Sequence, residues 1–256
     1  MILEGLIIKT IIGFLPVILT AIFQAIIEFL PISSTAHVLL LNNILQINID
    51  DLKSIFMAAN LGTACVMAIY YKKQIFNIKT IINISLATLP LILIAPFLIN
   101  IISTKLNNNL VIGISLIIVG VIMIFIKKLK YKIDNKITLG KSLIIGLCQT
   151  VALIPGVSRS GITIICGKLC KFSTSNAVDF SFILAIPTLS IVSLHQLIIV
   201  DKLNIGINVI ISFIVSFIIS FLVIDKIILF IKKYGLTPFG YYRITIGIIL
   251  IILFYS

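Results

Sequence analysis

Two short stretches hold nearly all the residue types in this chain that can do chemistry. The first, QAIIEFLPISSTAH from Gln24 to His37, sets an amide and a carboxylate four residues apart. A proline, three hydroxyls and one of only two histidines follow. The second, PGVSRSGIT from Pro155 to Thr163, places Ser158, Arg159, Ser160 and Thr163 behind a Pro-Gly pair. At their spacing Gln24 and Glu28 share one helix face. Pro31 disfavours helix at Leu30, which predicts a helix end just after Glu28. Ser33, Ser34 and Thr35 then offer a cap for the next helix, with His37 in its first turn. In the second stretch Ser158 is the cap, Arg159 enters the first turn and Thr163 lies one turn on. Each helix start presents free N–H groups and a positive dipole end. Two such ends facing each other, together with Arg159, suit a multiply charged anion, phosphate above all.

The rest of the sequence says what must position these groups. Of 256 residues 60% are hydrophobic and 11% charged, there is no Trp, and mean hydropathy is +1.27. No water-soluble fold could cover that balance with polar surface, so an all-α integral membrane protein is expected. Six apolar stretches read as full spans: Ser54–Tyr71, Thr80–Ser103, Leu110–Ile126, Asn176–Val200, Gly206–Ile224 and Gly240–Phe254. The two chemical stretches sit instead in broken segments, Ile7–Leu30 with Ser34–Leu45, and Lys141–Ile154 with Arg159–Cys170. These read as re-entrant helix hairpins, although Ile7–Leu30 is long enough to span. A shift of 125 residues pairs Ile32-Ser33-Ser34-Thr35-Ala36 with Val157-Ser158-Arg159-Ser160-Gly161, so the two halves read as inverted repeats. One polytopic domain over 1–256 is expected, with pseudo-repeats at about 7–103 and 138–224. The N-terminus reads as structure, not as a removed signal peptide.

The formal charge of +12 fits the positive-inside rule better than nucleic-acid binding. Fourteen lysines, from Lys72 to Lys233, fall on one predicted side, and Lys9, Lys53, Lys105 and Lys202 on the other. Glu28 and Arg159 stand at predicted membrane depth, where a charge must be paired or wetted. They fit either a functional site or a structural ion pair. Asp179 reads as a helix-start acid or a site residue, and His195 as an interfacial histidine. Glu4, Asp50, Asp51, Asp134, Asp201 and Asp225 read as acids near helix ends or loops. The four cysteines, without CxxC spacing, read as small buried hydrophobes.

QAIIEFLPISSTAH and PGVSRSGIT resemble the two signatures of the undecaprenyl-diphosphate phosphatase family, the bacitracin-resistance type. DFSFILAIP (Asp179–Pro187) and GLTPFGYYRITIG (Gly235–Gly247) are similar to further stretches of that family, in the same order. The resemblance implies a multi-pass enzyme of the bacterial cytoplasmic membrane. Such an enzyme converts undecaprenyl diphosphate to undecaprenyl phosphate and phosphate, recycling the lipid carrier for peptidoglycan and conferring bacitracin resistance. It also implies a divalent cation, Mg²⁺ or Ca²⁺, and a site reached from the periplasm.

Carried over by position, Gln24 and Glu28 match the acidic, metal-binding pair. Ser34 matches the nucleophile or phosphate contact, His37 the acid/base, and Arg159 the phosphate clamp. Ser158, Ser160 and Thr163 match the flanking hydroxyls, and Ser33 and Thr35 stand as phosphate-binding candidates beside Ser34. Three positions depart from the pattern: Gln24 replaces a frequent Glu, Asp179 stands at an expected Glu, and Asn60 at an expected Gln. Phosphoryl transfer through a phospho-serine and direct attack by water are both open. A carrier or flippase of polyprenyl phosphate or another anion is the alternative use of the same architecture. The substrate and surrounding lipid are the expected partners, and a homodimer is one assembly the sequence allows.

Overall fold

The computed structural model describes the backbone of residues 2–45, 49–129, 131–199 and 206–255, and in the first helix the side chains from Phe14 onward. The expectations for Lys9, Lys202, Glu4, Asp50, Asp51 and Asp201 concern side chains outside the described set. Among the described residues the protein is helical throughout, with no strand. The order is α1 (Ile2–Ile27), α2 (Ser34–Leu45), α3 (Ile49–Tyr70), α4 (Lys72–Ile75), α5 (Ile78–Ile101), α6 (Asn109–Phe125), α7 (Leu139–Thr150), α8 (Arg159–Leu169), α9 (Thr174–Ile199), α10 (Ile207–Tyr234) and α11 (Thr237–Tyr255).

Both breaks fall where proline places them. α1 stops at Ile27, a turn carries the chain through Pro31, and α2 begins at Ser34. α7 tightens into a single 3-10 turn at Val151–Leu153, passes Pro155-Gly156, and restarts at Arg159. The order helix, break, helix, long helices thus occurs twice. Contacts repeat in the same sense: α1 packs on α10, and α7 on α5.

Five helices are long and apolar enough to cross a bilayer: Leu52–Tyr70, Ile78–Ile101, Asn109–Lys128, Thr174–Gln196 and Ile207–Tyr234. The sixth expected span lies in α11, whose apolar stretch, Thr237–Leu253, is shorter. α10 runs ten residues past the expected end at Ile224, so Asp225 lies inside a helix, not at its end. Leu222, Phe221, Leu229, Ile252 and Leu253 face outward, as a lipid-facing surface requires. Cys65 also faces outward while Cys166 is buried, because in a membrane protein the exterior is as apolar as the core.

Small residues bring the helices close, as expected where lipid offers no hydrophobic drive for association. On α10, Ser212, Ser216 and Ser220 form a fully buried stripe against α3. Ser212 donates to the Ile55 carbonyl at 2.7 Å, and Thr63 and Ser220 share a hydrogen bond at 3.0 Å. α6 and α11 meet through two glycine pairs. A Cβ on Gly120 would lie 2.8 Å from the Gly240 carbonyl, and one on Gly247 2.7 Å from the Gly113 carbonyl. Only glycine permits that approach. It presses the middle of α11 against the two breaks.

Candidate active site

The first break turns Glu28 into the protein interior. Gln24, one turn earlier on α1, donates its amide to Glu28 Oε2 at 3.0 Å and to Asn60 Oδ1 on α3 at 2.7 Å. Its own Oε1 is buried without a hydrogen-bond partner. From the second break, Arg159 Nη2 reaches Glu28 Oε1 at 2.7 Å, and Nη1 donates to the Ser181 carbonyl on α9 at 3.3 Å. The two chemical stretches, more than a hundred residues apart in sequence, therefore meet in an ion pair with only about a tenth of each side chain exposed. A pair taken that far out of water is held by the attraction of its members and by their further hydrogen bonds.

Around the pair stand the two helix starts. Ser158 caps α8, its Oγ accepting from the Gly161 N–H at 3.2 Å and lying 3.3 Å from Ser160 Oγ. Ser160 in turn donates to the Leu30 carbonyl of the first break at 3.3 Å. Thr163 is buried behind them, its hydroxyl engaged with the Arg159 carbonyl at 2.8 Å and Ser181 Oγ at 2.7 Å. Ser33 and Ser158 both adopt positive φ, 75° and 72°. Such values are uncommon for residues with a Cβ and mark chain held in place by its surroundings.

Ser34 opens α2 and is partly exposed, with no described residue taking its hydroxyl. His37 lies one turn on. Its Nδ1 is 2.8 Å from the Ser33 carbonyl and its Nε2 2.7 Å from the Tyr242 hydroxyl, whose ring stacks on it at 5.5 Å. A carbonyl can only accept, so Nδ1 carries the proton and Nε2 is the basic nitrogen, receiving the Tyr242 O–H. Thr35 points elsewhere, into a cavity with Val38, Leu52, Lys53, Phe56 and Gln196.

The remaining candidates lie apart from this cluster. Asp179 is paired with Lys232 at 2.7 Å and accepts from Tyr71 at 2.7 Å, which ties α9, α10 and the end of α3 together. His195 is exposed near the far end of α9.

Two neighbours carry no signal in the motifs as read. Tyr242 is one, and Arg243 beside it is the other. Arg243 is fully buried and donates to the carbonyls of Pro31 at 3.1 Å, Gly156 at 2.6 Å and Val157 at 3.1 Å. Its fully apolar burial within GYYRITIG was the available clue, the same one that distinguishes Arg159.

Comparison with known proteins agrees with this arrangement. The family described as Bacitracin resistance protein BacA matches residues 17–249. The chain belongs to the BacA family. Among curated BacA-like relatives, the Undecaprenyl-diphosphatase of Campylobacter jejuni subsp. jejuni serotype O:2 is 35% identical over 251 residues, covering 93% of this chain and 94% of the relative. That of Acinetobacter baumannii strain ATCC 17978 is 31% identical over 249 residues, covering 90% and 91%. The BacA match takes in both breaks, all five long helices and α11 as far as residue 249.

Proposed function

We propose that this BacA-family chain is an undecaprenyl-diphosphate phosphatase of a bacterial cytoplasmic membrane, with its site open to the periplasm. It cleaves the terminal phosphoanhydride bond with water to give undecaprenyl phosphate and inorganic phosphate. That reaction returns the carrier lipid to peptidoglycan synthesis and underlies bacitracin resistance. The observation that carries this reading is the meeting of Glu28 and Arg159 at 2.7 Å between two capped helix starts, in a chain whose relatives bear that enzyme's name.

Phosphoryl transfer depends mainly on positioning and on neutralising charge. The α2 and α8 starts and Arg159 receive the non-bridging oxygens, with Ser33, Ser158 and Ser160 lining the approach. Ser34 attacks the terminal phosphorus or orients the water that does. His37 Nε2 takes the proton, and the Tyr242 hydroxyl, already on that nitrogen, either yields its place or passes the proton along.

Among the described residues no cluster of three or more His, Cys, Asp or Glu forms a ready metal cage. The donors present nevertheless suit a hard divalent ion, Mg²⁺ or Ca²⁺. Glu28 supplies a carboxylate and Gln24 a buried, unpartnered oxygen, and such ions commonly take the rest of their shell from water and substrate phosphate. When bound, the ion would supply charge neutralisation at the diphosphate.

The test is phosphate release from a polyprenyl diphosphate by purified protein in detergent, with and without chelator, beside Arg159→Ala and Glu28→Ala. Chelator-sensitive release lost in both variants is expected. No release by folded wild-type protein with cation supplied would sink the enzyme and turn attention to lipid-phosphate transport in vesicles.

A further inference from the structure

Arg243 is a guanidinium with none of its surface exposed, and no described carboxylate lies within ion-pair reach. A buried cation without a counter-charge costs several kcal/mol, so its retention calls for a physical account. Its partners supply one. Nη1 holds the Pro31 carbonyl of the first break, and Nη2 holds the Gly156 and Val157 carbonyls of the second. Pro31 and Gly156 stand 125 residues apart, the same shift that aligns Ser33 with Ser158. One planar fork thus grips equivalent points two residues before each capping serine. Nε is buried without a partner, so the carbonyls do not exhaust the group's donors.

We propose that Arg243 is a positioning residue for the diphosphate site: by bridging the two breaks it fixes the separation and aim of the α2 and α8 starts. This rests on the phosphatase reading given above. A fork is needed because the carbonyls lie on different chain segments and must be reached from one point. A lysine ammonium offers the charge without the fixed spread of donors. The position of the fork is set by the glycine contacts of α11 with α6: a Cβ on Gly120 would lie 3.3 Å from Arg243 Cβ. Beyond holding the breaks, the unpaired positive charge adds to the field that draws a multiply charged anion into the bilayer interior.

The test compares wild type, Arg243→Lys and Arg243→Gln in detergent, each confirmed folded by its thermal transition and monodispersity. Two readouts are taken: KM and kcat for a polyprenyl diphosphate, and the shift of the thermal transition by inorganic pyrophosphate, which needs no turnover. The expected result is a KM raised at least tenfold in both variants, with pyrophosphate stabilisation largely lost even in the lysine variant that keeps the charge. A residue that only holds the fold would lower the active fraction and leave KM and the pyrophosphate shift unchanged in what survives. Wild-type values of both in Arg243→Lys overturn the proposal. Absence of phosphate release by wild type would instead remove the phosphatase reading on which it rests.

Discussion

Ser33 and Ser158, 125 residues apart in sequence, share a left-handed backbone with φ of 75° and 72°. Each stands immediately before the half-helix that follows its break. Ser158→Gly relieves the backbone but removes the cap on Gly161, whereas Ser158→Ala removes the cap and keeps the unfavourable φ. The alanine variant is expected to lose about 1 kcal/mol and the glycine variant only a few tenths. Denaturation of both in the same detergent measures the difference, and an alanine variant more stable than the glycine one contradicts the account.

Glu28 and Arg159 should behave as a coupled unit. Removing either partner leaves the other charged and buried, at about 3–5 kcal/mol. Glu28→Gln with Arg159→Gln together should therefore cost less stability than the sum of the single changes, while phosphate release falls about 10²-fold or more in every variant. Additive stability losses in a double-mutant cycle would show that the 2.7 Å contact is not energetically coupled.

Tyr242→Phe removes the hydroxyl from His37 Nε2 and keeps the stacked ring. If that hydroxyl serves the proton transfer, kcat drops by about tenfold while KM stays near wild type, in keeping with the scale of general acid–base contributions. Comparing the pH dependence of kcat in the two proteins separates this from a packing effect, which would leave the profile's shape unchanged.

Gly240→Ala places a methyl 2.7 Å from the Gly120 carbonyl. Helix α11 must then move away from α6, carrying Tyr242 and Arg243 with it. Stability should fall by about 1–3 kcal/mol, the range for overpacking a close contact, and activity should fall further than stability alone explains. An active, stable Gly240→Ala would place the functional groups of α11 beyond the influence of that contact.

The breaks were legible because proline and hydroxyl residues act locally. Pro31 and Pro155-Gly156 end helices wherever they stand, and Ser158 caps whatever follows. The pairing of Glu28 with Arg159 was suggested by their isolation in apolar sequence, since two lone opposite charges inside a membrane favour each other's company. Arg243 and Tyr242 escaped because their partners are backbone carbonyls and a ring nitrogen on other helices, contacts that leave no periodic mark. Asp225 was misplaced for a related reason: an acid inside an apolar run looks like a helix end unless Tyr70, across the α3 terminus, is known to bond to it. Asp179 resolved into an ion pair with Lys232, a partner more than fifty residues away.

The single guanidinium joining the carbonyls of Pro31, Gly156 and Val157 also bears on how the molecule can move. A carrier that exposes its cargo first to one side of a membrane and then to the other must let the segments flanking its central site rock apart. Here any such rocking would shear three hydrogen bonds in a medium with no water to replace them. The centre is riveted, which favours a rigid pocket that the lipid headgroup enters and leaves by the same door.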